Sequence, residues 1–195
     1  MIEVEKKFNL QKGDEAKLTA GATFIKEIVM RDDYYDLPGK SWTLKDTWLR
    51  CRNGSWELKV PLNTSGSDTR VADQYRELIT EEEIAHHLGV DLRASLSESL
   101  RSAGYILLAP ISTTRRKFQQ GEFVIDIDHM DFGYDIAEVE LLVEREDEMP
   151  AAIEKILGFA KTIGLTTAPV RGKVVEYIRR NDPTHLEALK RALVV

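Results

Sequence analysis

Five strand-length segments of this chain carry charged residues two positions apart, with apolar residues between them. Glu3, Glu5 and Lys7 alternate with Ile2, Val4 and Phe8, and Lys6 alone interrupts the apolar set. Arg50 and Arg52, with Trp48, alternate with Thr47, Leu49 and Cys51, and Glu57 and Lys59 with Trp56, Leu58 and Val60. Asp126 and Asp128 oppose Phe123, Ile125 and Ile127, and Glu138 and Glu140 oppose Ala137, Val139 and Leu141. A period of two belongs to strands with unlike faces. Like charges at i and i+2 on one face repel, and an ordinary solvated sheet gains nothing by repeating them strand after strand. A sheet closed into a barrel points one face of every strand into a lumen. The charged faces then line the lumen, and the apolar faces lie outward under amphipathic helices. The pattern predicts an antiparallel α+β fold of about eight strands; given closure, it becomes a closed eight-stranded antiparallel β-barrel, or tunnel, with a charged lumen surrounded by helices.

The remaining segments fit that plan. A short helix is expected from Asp14 to Thr19, closed by Gly21, and a long extended run over Thr23 to Asp36. Asn53-Gly54 is a hairpin signal between two charged strands. The stretch 61–68 reads as a loop, and a strand near Val71 to Ile79 carries Tyr75 and Glu77 on one face. Residues 80–103 read as helical, with a Thr80/Glu83 capping box and a stripe of Leu92, Leu96, Leu100 and Ala103 ended by Gly104. Strands are expected over Tyr105 to Lys117, Glu122 to His129 and Asp135 to Glu144. A helix opens at Pro150 and closes at Gly164, and two more, broken at Asp182-Pro183, fill 171–193. With 195 residues, 43% of them hydrophobic, the chain is expected to form a single domain over 1–195 with a real core.

Composition narrows the function. Acidic residues number 33 and basic ones 27, a net charge of −6 that argues against a nucleic-acid-coating protein. The single cysteine, Cys51, rules out a disulfide framework and fits a reducing compartment. No run of 18 apolar residues predicts a membrane-spanning helix, and MIEVEKKF has no apolar core of a secretory signal. A cytoplasmic monomer acting on a small molecule, without nucleic-acid or membrane partners, is expected.

The expected lumen holds the acids Glu3, Glu5, Glu57, Glu77, Asp126, Asp128, Glu138 and Glu140. Its bases are Lys7, Arg50, Arg52 and Lys59, joined by Arg116 and Lys173. Carboxylate clusters without His or Cys suit hard divalent cations such as Mg²⁺ or Mn²⁺. Arg and Lys clusters suit phosphate oxygens. Both sets in one cavity point to a metal–polyphosphate ligand.

Glu3-Val4-Glu5-Lys6-Lys7 resembles the ExExK signature of the CYTH, or triphosphate tunnel metalloenzyme, superfamily. WLRCR at 48–52, WELKV at 56–60, YREL at 75–78, VIDID at 124–128 and EVE at 138–140 follow in the family's order, so the resemblance covers nearly the whole chain. Within the superfamily the chain is most similar to the thiamine triphosphatase branch. Trp48 before the arginine pair, DFGY at 131–134 and APVRGKVVEYI at 168–178 carry that closer likeness. The resemblance implies the eight-stranded tunnel and metal-dependent hydrolysis of thiamine triphosphate to thiamine diphosphate and phosphate, with Mg²⁺, or Mn²⁺, as cofactor. By position it makes Glu3, Glu138 and Glu140 metal ligands, with Glu5, Glu77 and Asp126 as further carboxylates for a second metal or for orienting water. Lys7, Arg50, Arg52, Lys59, Arg116 and Lys173 become the phosphate clamp. Glu5 and Glu77 are the candidates to activate water, with Lys7 in the same catalytic set and Tyr75 a lesser candidate beside a lysine. Parity alone leaves Arg116 and its neighbour Arg115 as alternatives. Asp128 points inward with no ligand role carried onto it. Trp48 is expected either as a tunnel-wall residue or as a platform stacking on the cationic thiazolium, a contact worth about 0.5–2 kcal/mol.

Other signals fall away. Gly39-Lys40-Ser41 would end a P-loop only with glycine at 34, where Tyr34 stands. Asn63-Thr64-Ser65 is a sequon with no secretion signal before it. His86, His87, His129 and His185 lack metal-ligand spacing, Arg115-Arg116-Lys117 is too short for a nucleic-acid patch, and Cys51 faces away from the arginines. The competing readings are an inorganic tripolyphosphatase, an adenylate cyclase and a non-catalytic polyphosphate-binding module of the same fold. A lipocalin-like barrel needs an apolar lumen and is contradicted by the pattern.

Overall fold

The computed structural model describes residues 2–62 and 75–195. The sequon, most of the expected loop at 61–68 and the start of the strand expected near Val71 lie outside the described residues. The strands are β1 (Ile2–Asn9), β2 (Thr23–Asp36), β3 (Trp48–Arg52), β4 (Ser55–Pro61), β5 (Tyr75–Leu78), β6 (Ile106–Gln120), β7 (Phe123–Met130) and β8 (Tyr134–Val143). The helices are α1 (Asp14–Leu18), α2 (Glu81–Leu88), α3 (Leu96–Ser102), α4 (Met149–Thr162), α5 (Lys173–Asn181) and α6 (Pro183–Arg191). The hydrogen-bonded strand order is β1-β8-β7-β6-β2-β3-β4-β5. These are the eight antiparallel strands expected, and among the described residues the order has two ends, β1 and β5. The chain divides into two compact units.

The first unit comprises described residues within 1–29 and 113–173. Its ladders put Val4 opposite Leu141, Phe8 opposite Ala137, Ile125 opposite Val139 and Ile127 opposite Ala137. That apolar face packs under α4, where Ala152, Ile156 and Ala160 recur at helical spacing. Phe8, Ile125, Ile127 and Ile156 are fully buried, each worth about 1.5–3 kcal/mol of hydrophobic free energy. Pro150 stands in the first turn of α4, and Gly164, at φ +71°, lets the chain leave the helix. The apolar face is thus committed to the helix, and the charged face of the same strands is left for other work.

The second unit comprises described residues within 30–69, 74–112 and 174–195. Asn53 and Gly54, both at positive φ, form the expected tight turn between β3 and β4. Leu49 and Leu58 pair across that hairpin and pack on Ile84, Ala85 and Leu88 of α2 and Leu96 and Leu100 of α3. The helix expected over 80–103 is two helices. Gly89 turns the chain at φ +67° after α2, and Ser95 starts a new helix by accepting from the Glu98 amide. Leu92, expected in the apolar stripe, lies in the break and is exposed. The Thr80/Glu83 pair does cap α2. In the tail, Asp182 caps α6 by accepting from the His185 amide, with Pro183 opening the helix as expected.

Candidate active site

Register fixes which side chains share a face. In the first unit Glu5 stands opposite Glu140, Lys7 and Asp126 flank Glu138, Arg115 stands opposite Asp128 and Lys117 opposite Asp126. Residues directly opposite in an antiparallel ladder project to the same side. Carboxylate oxygens of Glu3, Glu5 and Glu140 lie within 4.8 Å of one another, and so do those of Asp126, Glu138 and Glu140. Glu140 belongs to both groups. An all-oxygen donor set at this spacing fits a hard divalent cation. The resemblance implies Glu3, Glu138 and Glu140 as ligands; here Glu140 is shared by two groups, one with Glu3 and Glu5 and one with Asp126 and Glu138.

Cations are interleaved with these acids. Lys7 donates to Glu5 at 2.5 Å. The Arg115 guanidinium reaches Asp128 at 2.6 and 2.7 Å, Glu138 at 2.6 Å, and Asp126. Lys117 pairs with Asp126 at 2.9 Å and with Glu140 at 3.5 Å. Burial disfavours ionised carboxylates. It raises Glu140, with Asp126 and Glu3 adding to the effect, to about 8. Burial likewise raises Asp126, against the pull of Arg115 and Lys117. Burial also opposes the charge on Arg115, but Glu138, Asp128 and Asp126 together outweigh it and raise its pKa. Lys117 is raised in the same way, by Asp126 and Glu140 against burial.

Arg116, expected in the clamp, is corrected by the structure. It stands opposite Ile127, on the helix-covered face. There it pairs with Glu15 of α1 at 2.6 Å and donates to the ring of His129 at 2.9 Å. The position among the carboxylates belongs to Arg115. Lys173 opens α5 and is buried.

In the second unit Asp32 stands opposite Arg52, Tyr34 opposite Arg50, Arg50 opposite Glu57, and Lys59 between Trp48 and Glu77. Asp32, with no exposed surface, accepts from Arg52 at 2.7 and 3.3 Å and lies 3.9 Å from Arg50. Arg50 pairs with Glu57 at 2.6 Å and Lys59 with Glu77 at 2.8 Å. Burial pushes the Glu77 carboxyl up, but Lys59, then Arg50 and Arg52, bring it below the usual carboxylate range. The same cations hold Glu77 in its ionised form. Burial opposes the Arg50 charge, and Tyr34, Glu57 and Asp32 restore it. Asp46, in the turn before β3, accepts from the Trp48 indole at 2.9 Å and from the Tyr75 hydroxyl at 2.8 Å. Lys59 lies 5.8 Å from the centroid of the Tyr75 ring. Cys51 is on the opposite face from Arg50 and Arg52, and burial raises its thiol, which lowers its thiolate fraction.

Glu3, Glu5, Lys7, Asp126, Glu138 and Glu140 thus come together in one unit, and Trp48, Arg50, Arg52, Lys59, Tyr75 and Glu77 in the other. Lys117, Asp32 and Asp46 were missed, and Arg115 stood only as the alternative to Arg116. For Arg115 and Lys117, the alternation of Asp126 and Asp128 across the ladder was the available signal.

A CYTH domain model matches residues 1–169. Human thiamine-triphosphatase is 34% identical over 211 residues, covering 97% of this chain and 89% of the human protein, and the Macaca fascicularis thiamine-triphosphatase matches to the same extent. Among solved structures, a Pyrococcus horikoshii protein superposes with a TM-score of 0.68 at 21% identity, covering 92% of this chain and 99% of its own. A Hippeastrum protein named for adenylyl cyclase, with a dominant triphosphatase activity, superposes with a TM-score of 0.60 at 15% identity, covering 89% and 94%. These structural likenesses establish the fold.

Proposed function

The chain belongs to the CYTH domain family, and we propose that it hydrolyses thiamine triphosphate to thiamine diphosphate and phosphate with a divalent cation, Mg²⁺ or alternatively Mn²⁺. The observation that carries the reading is the pair of carboxylate groups sharing Glu140, with Arg115 and Lys117 on the same sheet face. Oxygen ligands for a cation and cations for phosphate are what a metal–triphosphate requires. The curated thiamine-triphosphatase relatives support the substrate.

In this reading Glu3, Glu5 and Glu140, with Asp126 and Glu138, would hold the cation. A divalent cation so bound supplies charge neutralisation for phosphate oxygens. Lys7, Arg50, Arg52, Lys59, Arg115, Lys117 and Lys173 grip the triphosphate, and those of them beside the transferred phosphoryl group, among which Lys59 is not counted, spread the charge that develops on it. Glu77 or Glu5 takes a proton from water as its oxygen bonds to the γ-phosphorus and thiamine diphosphate leaves. Trp48 offers an aromatic surface to the thiazolium. The closed tunnel is part of the same proposal. It is supported by the family likeness and by the alternation of charge along five of the strands.

One observation favours a second reading. The two faces are mostly ionic, with Trp48 and Tyr75 as their aromatic members, so inorganic tripolyphosphate meets most of the same groups. A phosphate-release assay on thiamine triphosphate, tripolyphosphate and ATP, with and without Mg²⁺, decides. The proposal expects the highest kcat/KM for thiamine triphosphate, and only with metal. A higher value for tripolyphosphate favours the second reading.

A further inference from the structure

Asp46 appears in no part of the charge alternation, yet it holds two aromatic side chains of the second unit at once. One oxygen, Oδ1, accepts both the Trp48 indole N–H at 2.9 Å and the Tyr75 hydroxyl at 2.8 Å. The residue is itself nearly buried and follows a single 3₁₀ turn, Thr43–Lys45. Its backbone sits at φ 57°, ψ 27°, a left-handed conformation that costs an ordinary side chain and that Asn and Asp tolerate best. Its amide donates to the Thr43 carbonyl at 3.0 Å, which holds the turn in that shape. A strained residue kept in place by its surroundings and aimed at two functional side chains is a candidate for function.

We propose that Asp46 is a positioning residue that sets preference for a triphosphate bearing a cationic aromatic group over an inorganic one. The proposal rests on the thiamine triphosphate reading above. Trp48 has 6% of its surface exposed, so a small rotation of the indole hides or shows the strip a ligand can touch. The bond from Asp46 fixes that rotation. The same oxygen fixes Tyr75, whose ring lies beneath Lys59. Lys59 is also held by Glu77 at 2.8 Å, so its ammonium keeps a carboxylate partner when Asp46 is replaced. An inorganic triphosphate uses Lys59 and has no ring to stack; the organic one uses both.

The test is the ratio of kcat/KM for thiamine triphosphate to that for inorganic tripolyphosphate. Asp46→Gly removes the acceptor while tolerating the left-handed backbone. It is expected to lower the ratio about tenfold, the worth of one aromatic–cation contact, with tripolyphosphate turnover changed less than about threefold. Asp46→Asn keeps an oxygen where both donors point, and is expected to hold the ratio near wild type. Asp46→Ser, too short to reach both donors, should fall with Asp46→Gly and serves if the glycine variant does not fold. Equal losses on both substrates, or an unchanged ratio in Asp46→Gly or Asp46→Ser, overturn the proposal. A wild-type protein that shows no preference for thiamine triphosphate overturns the underlying reading as well, an outcome visible before any variant is made.

Discussion

Glu140 stands directly across from Glu5 in the β1–β8 ladder, two carboxylates on one sheet face within reach of each other's oxygens. Like charges opposite one another destabilise a sheet unless something neutralises them. Lys7 relieves Glu5 and Lys117 relieves Glu140, the latter at only 3.5 Å.

A divalent cation is therefore expected to stabilise the protein before any substrate is added. At about a hundredfold excess over its dissociation constant a ligand adds about 2.7 kcal/mol. The thermal midpoint of the wild type should rise by several degrees with saturating Mg²⁺, and that of Glu140→Gln should rise much less. Equal shifts in both would remove Glu140 from the ligand set.

Arg115 and Arg116 are neighbours with opposite roles. Arg115→Met leaves Asp126, Asp128 and Glu138 without their guanidinium and is expected to cost about 3 kcal/mol. Arg116→Met breaks a half-exposed pair with Glu15 and should cost under about 1 kcal/mol. Urea unfolding of the two variants measures the difference, and phosphate release should fall only in the first.

The buried His185, whose Nε2 meets the Thr43 hydroxyl at 2.9 Å, gives the fold a pH dependence. Burial, with Lys40 nearby, holds its imidazole below the ordinary value, while Asp182 and Asp36 pull the other way. The unfolded chain, with the ordinary pKa of about 6.5, then binds the proton more readily than the folded one. The His185 contribution to stability falls as the pH drops below about 6.5 and levels off beneath the folded pKa. Glu140, raised to about 8, works the other way over the same range, so the quantity to follow is the difference in thermal midpoint between wild type and His185→Gln, which should move against the wild type from pH 8 to 5. Identical slopes would contradict the assignment.

The strand faces were legible because a period of two needs no tertiary knowledge: Glu3, Glu5, Lys7, Glu138 and Glu140 fall where alternation puts them. Arg115 was not, because two adjacent arginines on a long strand have opposite parity and only the ladder with Asp126 and Asp128 chooses between them. Asp32 was hidden beside Asp33 in a charged run, and its role depends on the register with Arg52. Asp46 lies in a turn, where no periodicity applies, and reaches Tyr75 29 residues away. The break in the helix expected over 80–103 had local signals, Gly89 and Ser95, which the apolar stripe outweighed. Glu3 beside Glu5 follows from spacing on one strand, but Glu138 beside Asp126, and Glu140 within reach of both sets, follow from register across strands, which spacing cannot supply.

The kinetics of Glu138→Ala beside Lys59→Ala on thiamine triphosphate with Mg²⁺ test the central claim most directly. A carboxylate that holds the cation and a lysine that grips phosphate must fail differently. Glu138→Ala is expected to lower kcat by about 100-fold, a loss that excess Mg²⁺ partly restores. Lys59→Ala is expected to raise KM by about tenfold while kcat stays within about threefold. Small and equal effects from both would contradict the account.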